Sequence, residues 1–121
     1  MEFLAETAPP NSLVLVMGSA TGDIPDNFGE TLIVATDSCI AVGCQAEDDG
    51  PTRFWLGRNE ELSLDGAPSF TRNLDTPDGY VAIRTIMGDD IARIEVSDKS
   101  TFISVWVNHP QEPDEVKIGI G

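Results

Sequence analysis

The chain reads as a succession of short apolar or alternating runs separated by turn formers, with almost no helical periodicity. Residues 13–17 (Leu-Val-Leu-Val-Met) form the first predicted strand, stopped by Gly18 and Ser19. Residues 31–35 and 39–43 are two more, parted by the turn-like Thr36-Asp37-Ser38. Residues 52–56 follow an acidic loop that ends in Gly50-Pro51, a strong breaker. Asn59-Glu60-Glu61-Leu62 reads as loop or a short edge strand. Residues 69–74 form the next strand, ended by Asp75-Thr76-Pro77-Asp78-Gly79, an explicit turn sequence. Residues 80–87 and 91–96 flank Gly88-Asp89-Asp90 as a hairpin, and residues 101–107 and 116–120 close the set around a loop at 109–115.

Short strands at spacings near ten residues predict an all-β protein, a single-domain antiparallel β-sandwich of eight or nine short strands with Greek-key-like connections. A parallel sheet calls for crossover helices, and nothing in the pattern supplies one. The domain is expected to span residues 1–121, with residues 1–11 as a loosely ordered N-terminal segment.

Alternation sorts the faces. Ile103, Val105 and Val107 share one side of their strand and belong to the core, as do Ala92, Ile94 and Val96 in theirs, with Arg93 and Glu95 outward. Phe102 and Trp106 then fall on the outer face. That pair reads either as a contact surface, since tryptophan favours interaction hot spots, or as a stripe covered by a loop or by residues 1–10. Arg53 and Trp55 against Phe54 and Leu56 repeat the ambiguity.

Charge changes the picture most. Twenty-one Asp and Glu face seven Lys and Arg, a formal charge of −14. Residues 1–60 carry −8 and residues 61–121 carry −6, so the field belongs to the whole chain and not to a tail. Such a surface repels phosphate backbones and anionic lipid and attracts basic partners. Nucleic-acid binding needs clustered Lys and Arg, whereas the five arginines are scattered among carboxylates. No apolar run approaches the roughly 20 residues of a membrane helix, and the first residues lack a basic n-region and long apolar stretch. A cytoplasmic location is therefore expected. Cys39 and Cys44 agree with it: on one strand their odd offset points them to opposite faces, so they read as two reduced, packed thiols.

Chemistry is sparse. A nucleophile–base pair built from Ser38 or Cys39 with the single histidine, His109, lacks any surrounding signature. Paired carboxylates discriminate nothing in so acidic a chain, and few aromatics exist to line a glycosidase cleft. Gly18-Ser19-Ala20-Thr21-Gly22 lacks phosphate-loop spacing and sits beside Asp23 and Asp26. Two cysteines and one histidine do not make a zinc site. The best chemical alternative is calcium or a small ligand, held by Asp23, Asp26, Glu47, Asp48, Asp49, Asp89 and Asp90 in predicted loops. No cofactor or metal is expected on the main reading.

Four stretches carry a resemblance. Asp23-Ile24-Pro25-Asp26-Asn27-Phe28 precedes a glycine and two strands, and Gly50-Pro51-Thr52-Arg53-Phe54 follows. Thr76-Pro77-Asp78-Gly79-Tyr80-Val81-Ala82-Ile83 comes later, then a closing strand pair broken by Glu112-Pro113-Asp114-Glu115. In this layout, over residues 12–120, the chain resembles the small bacterial proteins of the competence protein J type, a family of nuclease inhibitors. The resemblance implies an antiparallel sandwich that silences a nuclease without catalysis of its own.

The expectation is thus a non-enzymatic acidic binding protein, an inhibitor or immunity-type protein that neutralises a basic nuclease or toxin. The candidate partner-binding residues are Glu47, Asp48, Asp49, Asp89, Asp90, Glu112, Asp114 and Glu115 in the acidic loops, with Phe102 and Trp106 on the outer face. An exposed edge strand, the Lys117-bearing last one, would leave room for a homodimer.

Overall fold

The computed structural model describes residues 3–25, 31–62 and 66–121, and of Phe3 only the backbone. Its first strands are β1 (Phe3–Thr7), β2 (Leu13–Met17), β3 (Ile33–Ala35), β4 (Cys39–Gly43) and β5 (Thr52–Arg58). Then follow β6 (Phe70–Asp75), β7 (Tyr80–Thr85), β8 (Asp90–Glu95), β9 (Ser100–Val107) and β10 (Glu115–Ile120). One sheet has the order β1-β5-β10-β9-β6 and the other β3-β4-β2-β7-β8. The all-β sandwich expected from the pattern is the fold. Among the described residues no helix is long and apolar enough to cross a membrane.

The runs differ in pattern because the sheets differ in burial. β2 and β4 are apolar almost throughout since both of their faces are covered. On the inner side, Val14, Val16, Ile40 and Val42 meet Phe54, Leu56, Ile103, Val105, Val116 and Ile118 of the facing sheet, all with no exposed surface. On the outer side, Leu15, Met17, Cys39 and Ala41 form a second buried cluster. β8 and β9 alternate because their outer faces meet solvent at Arg93, Glu95 and Phe102. The inward assignment of Ile103 and Val105, and of Ala92, Ile94 and Val96, holds.

Direction along the strands dictates where the long connections run. β2 and β3 both pair antiparallel with β4, so they point the same way. Met17, where β2 ends, and Ile33, where β3 begins, therefore lie toward opposite ends of the sheet. β5 and β6 are likewise parallel to each other through β10 and β9, with Phe70 level with Leu56.

Three expectations are corrected. Residues 3–7 of the segment expected to be loose form β1, which pairs with β5 from Phe3↔Leu56 to Thr7↔Thr52 and satisfies an edge that β5 would otherwise expose. The Lys117-bearing strand is not an edge, because β10 lies between β5 and β9. The sheets are antiparallel at every pair but one, β5 with β10. The crossover-helix rule applies to strands that follow one another, and four strands separate these two.

At the end opposite the β4–β5 loop, Thr76 is buried and its Oγ1 donates to the Asp98 carbonyl at 2.6 Å, 2.9 Å from Thr101 Oγ1. Gly18 passes so close that a Cβ there would lie 2.3 Å from the Asp75 carbonyl oxygen. Gly18→Ala is expected to destabilise the fold by about 1–3 kcal/mol through overpacking, and Phe54→Ala by about 3–5 kcal/mol through the cavity it leaves. Denaturant unfolding measures both; an unchanged midpoint in either variant would contradict the packing described.

Candidate functional site: an acidic rim at one end of the sandwich

The register gathers three loops at one end. β4 ends there, β5 and β10 begin there, β9 ends there, and the β7–β8 hairpin turns there. The β4–β5 loop holds Glu47, Asp48 and Asp49 in a single 3-10 turn. The β9–β10 loop holds Glu112 and Asp114, and the hairpin holds Asp89. Residues 44–51, 86–89 and 108–114 thus contain six carboxylates and no Lys or Arg.

Two of the loops are lashed together. Gln45 N–H donates to the Pro113 carbonyl at 2.9 Å and Arg53 N–H to the Asp114 carbonyl at 2.8 Å. The β9–β10 loop is shaped from within by Asn108. Its Nδ2 donates to Asp114 Oδ1 at 2.6 Å, and its Oδ1 accepts the Asp114 and Glu115 N–H groups. His109 Nδ1 accepts the Gln111 and Glu112 N–H groups at 3.1 and 2.9 Å, which places the ring proton on Nε2. The acids of this rim are therefore held by uncharged side chains and backbone. Arg53, at the start of β5, is bonded to Glu6 at 2.9 Å. That hydrogen bond and the charges of Glu6, Glu115 and Asp114 push Arg53 above its ordinary value. The opposite end is acid-rich too, but Lys99 sits in its loops and Arg72 pairs with Asp37 there at 2.7 Å.

The rim joins Glu47, Asp48, Asp49, Glu112, Asp114 and Glu115, with Asp89 on the third loop of the same end. Asp90 is drawn away from it. Its carboxylate bonds Arg84 at 2.6 Å and lies 4.0 Å from Arg93, on the outer face of the second sheet. Arg84 also donates to the Ser19 carbonyl and Tyr80 hydroxyl, and the Arg93 guanidinium stacks 3.6 Å from the Tyr80 ring centroid. Burial opposes the charge of Arg84, yet its bonds to Tyr80 and Asp90 hold it above its ordinary value.

Phe102 and Trp106 lie on the outer face of the first sheet, where Trp106 lines a shallow hollow with Asn108, Glu115 and Lys117 at the border of the rim, and Phe102 lies further along the strand. Phe102 is 43% exposed, whereas Trp106 is half-buried. Trp106 Nε1 donates to the Gly66 carbonyl at 3.2 Å, and its ring edge comes within 3.0 Å of where a Gly119 Cβ would sit. Among the described residues it is thus Gly66, after β5 and before β6, that partners the ring.

The other chemical candidates do not assemble. Ser38 and Cys39 begin β4 at the far end, on the order of 13 Å along the strand from the end that carries His109. Ser38 Oγ accepts the Asp23 N–H, so Asp23 belongs to that far end and Glu47, Asp48, Asp49 and Asp89 to this one. Asp26 lies outside the described residues. Among the described residues no three His, Cys, Asp or Glu side chains are placed to share a metal ion. Cys39 and Cys44 are both free and buried on opposite sides of β4's sheet, as their offset required.

Sequence reasoning missed an opening beside the rim. Between the edge strands β3 and β6 lies a groove of about 510 Å³, bounded by Leu32, Ile33, Phe70, Val107, His109 and Pro110. Exposed Met87, at the hairpin tip, was also passed over. The alternation of β9 pointed Val107 inward, but only the pairing of β6 with β9 reveals that it ends at an open side.

These features define a class of fold: a two-sheet all-β sandwich, here with an acidic set of loops at one end. No protein-family profile and no curated protein sequence matches the chain. A solved structure does share the fold: the crystal structure of ComJ, inhibitor of the DNA degrading activity of NucA, from Bacillus subtilis. It superposes with a TM-score of 0.71 over 99% of this chain and 96% of that one, at 11% sequence identity. The expected resemblance to competence protein J is thus a likeness of whole folds.

Burial pushes the Cys39 thiol up to about 12, with Arg84 opposing, and raises Cys44 as well. Both are expected to resist alkylation at pH 8 until the protein unfolds. An unfolded thiol ionises near 9.0 while folded Cys39 keeps its proton to about 12, so stability is full below pH 9 and falls between those values. Thiol titration and melting temperature against pH check both statements; rapid native labelling would refute them.

Proposed function

We propose that the protein is a non-catalytic inhibitor that sets its acidic rim into the basic, DNA-binding cleft of a nuclease. The observation that carries the reading is the rim itself: Glu47, Asp48, Asp49, Asp89, Glu112 and Asp114 on three loops of one end, with Glu115 at the start of β10 and no Lys or Arg in those loops, on a scaffold shared with a nuclease inhibitor. Nuclease clefts are basic because they neutralise phosphates. A surface presenting carboxylates at a fixed spacing meets the same donors that DNA phosphates would.

The construction of the rim favours this use. Asn108, His109 and Gln45 hold the loops through hydrogen bonds, so the acids are positioned before a partner arrives and little ordering entropy is lost on docking. Long-range attraction would speed encounter toward about 10⁸ M⁻¹s⁻¹ at low salt. We place this action in the cytoplasm, in keeping with two free, buried thiols. The same charge that draws a basic protein turns away nucleic acid and anionic membranes.

Plasmid degradation by purified NucA, the nuclease that ComJ inhibits, tests the reading. The chain is expected to suppress degradation at low salt and progressively less as salt rises. The double reversal Asp48→Lys with Glu112→Lys is expected to weaken inhibition about tenfold, mostly through slower association. Full DNA degradation in the presence of a large excess of the chain would contradict the proposal.

A further inference from the structure

The sandwich is not closed equally on its two sides. At one side β8 lies against β1 and β5 of the facing sheet. At the other, β3 and β6, the outermost strands of their sheets among the described residues, face one another. There the far end is laced shut: Arg72 Nε donates to the Thr36 carbonyl at 3.1 Å, its Nη2 to Asp37 Oδ1 at 2.7 Å, and Asp75 N–H to the Asp37 carbonyl at 2.9 Å. Toward the acidic end the two edges part around the 510 Å³ groove. Ile33, Phe70 and Val107 line it and also pack against the main core, yet each keeps part of its surface uncovered. The protein leaves apolar side chains half-buried at a site large enough to accept another.

What surrounds the groove narrows the occupant. His109 and Pro110 form one wall, and the same loop carries Glu112 and Asp114 two to four residues on. That loop is bonded through Pro113 to Gln45, beside the Glu47–Asp49 turn. A side chain entering the groove therefore crosses a negative field with no lysine or arginine in the bordering loops. An anionic ligand would be repelled on approach, and an aliphatic or aromatic group flanked by cations would be drawn in. Interfaces of this form place an apolar anchor in a pocket inside a charged ring.

We infer that this groove is the anchor pocket of the docking surface, taking an aromatic side chain of the basic partner while flanking lysines or arginines meet the acidic rim. The inference rests on the inhibitor reading and adds to it the chemistry of the partner's contact: a cation–aromatic–cation motif on a protruding loop. Charge supplies the encounter and the groove the tenacity, so the two contributions separate in experiment. Rim reversals act on association and salt dependence, whereas filling the groove acts on dissociation.

Three tripeptides probe the groove in the intact protein by amide and methyl NMR: acetyl-Arg-Trp-Arg-amide, acetyl-Arg-Ala-Arg-amide and acetyl-Glu-Trp-Glu-amide. The Arg-Trp-Arg peptide is expected to shift Leu32, Ile33, Phe70 and Val107, about tenfold more tightly than Arg-Ala-Arg. Glu-Trp-Glu is expected not to bind. Ser69→Tyr, on the groove lining, should abolish the Trp-dependent gain while the protein stays folded, with a small fall in melting temperature because Ser69 Oγ accepts the Val107 N–H at 3.3 Å. Equal binding of Arg-Ala-Arg would reduce the site to charge alone, equal binding of Glu-Trp-Glu to grease alone, and each overturns the inference, as does a response confined to Trp55, Phe102 and Trp106 or no response. Failure here with NucA still inhibited removes the groove and leaves the inhibitor reading standing. Seating of the Trp peptide without inhibition of any nuclease does the reverse.

Discussion

The parallel pairing of β5 with β10 is the constraint on which the remainder depends. These strands lie about sixty residues apart in the chain, yet Glu115↔Arg53 through Ile120↔Arg58 puts their starts side by side. Because they begin at the same end, the loops that enter them also meet there. One loop brings Glu47, Asp48 and Asp49 and the other Glu112 and Asp114, and two backbone hydrogen bonds fasten them. Had β10 joined antiparallel, the acidic loops would have opened at opposite ends. The same pairing buries Phe54, Leu56, Val116 and Ile118 together at the centre of the core. Local charge clustering is in this sense a product of the apolar interior.

Such clustering carries an energetic cost, since like charges repel at the rim. The fold meets it by keeping the acids at solvent-exposed loop positions, where water screens them, and by shaping their backbones with neutral groups. Asn108 and His109 can hold the β9–β10 loop without neutralising it. The cations have other partners: Arg72 laces the far end of the open side, and Arg84 with Arg93 secures Tyr80 and Asp90 on the outer face of the second sheet. Basic residues stabilise the scaffold, and the loops of the acidic end themselves carry none, Arg53 and Arg84 standing in the strands behind them.

Much of this was legible in the chain. All nine strands written in its hydrophobic pattern are present, because a pleated ribbon with one covered face must alternate and one with two covered faces must be apolar throughout. The inward sets of β8 and β9 and the opposed cysteines followed from a period of two. β1 was not legible: Phe-Leu-Ala-Glu-Thr has no β-branched run, and its strand character comes from the waiting edge of β5. Nor was the position of β10, since partner choice among distant strands leaves no local trace. The acidic residues of the site could be named, yet their convergence could not. Asp90 shows why, as one residue's shift along a hairpin took it from the loop into an ion pair with Arg84. The groove arises from two edges that part, a property of no single segment.

Hydrogen–deuterium exchange of the protein with and without NucA addresses the central claim most directly. The account gives protection concentrated in residues 45–51 and 108–115, spreading to 31–33 and 69–70 at the groove. Protection confined to the outer face around Phe102 and Trp106, or exchange unchanged by the nuclease at saturating concentration, would contradict it.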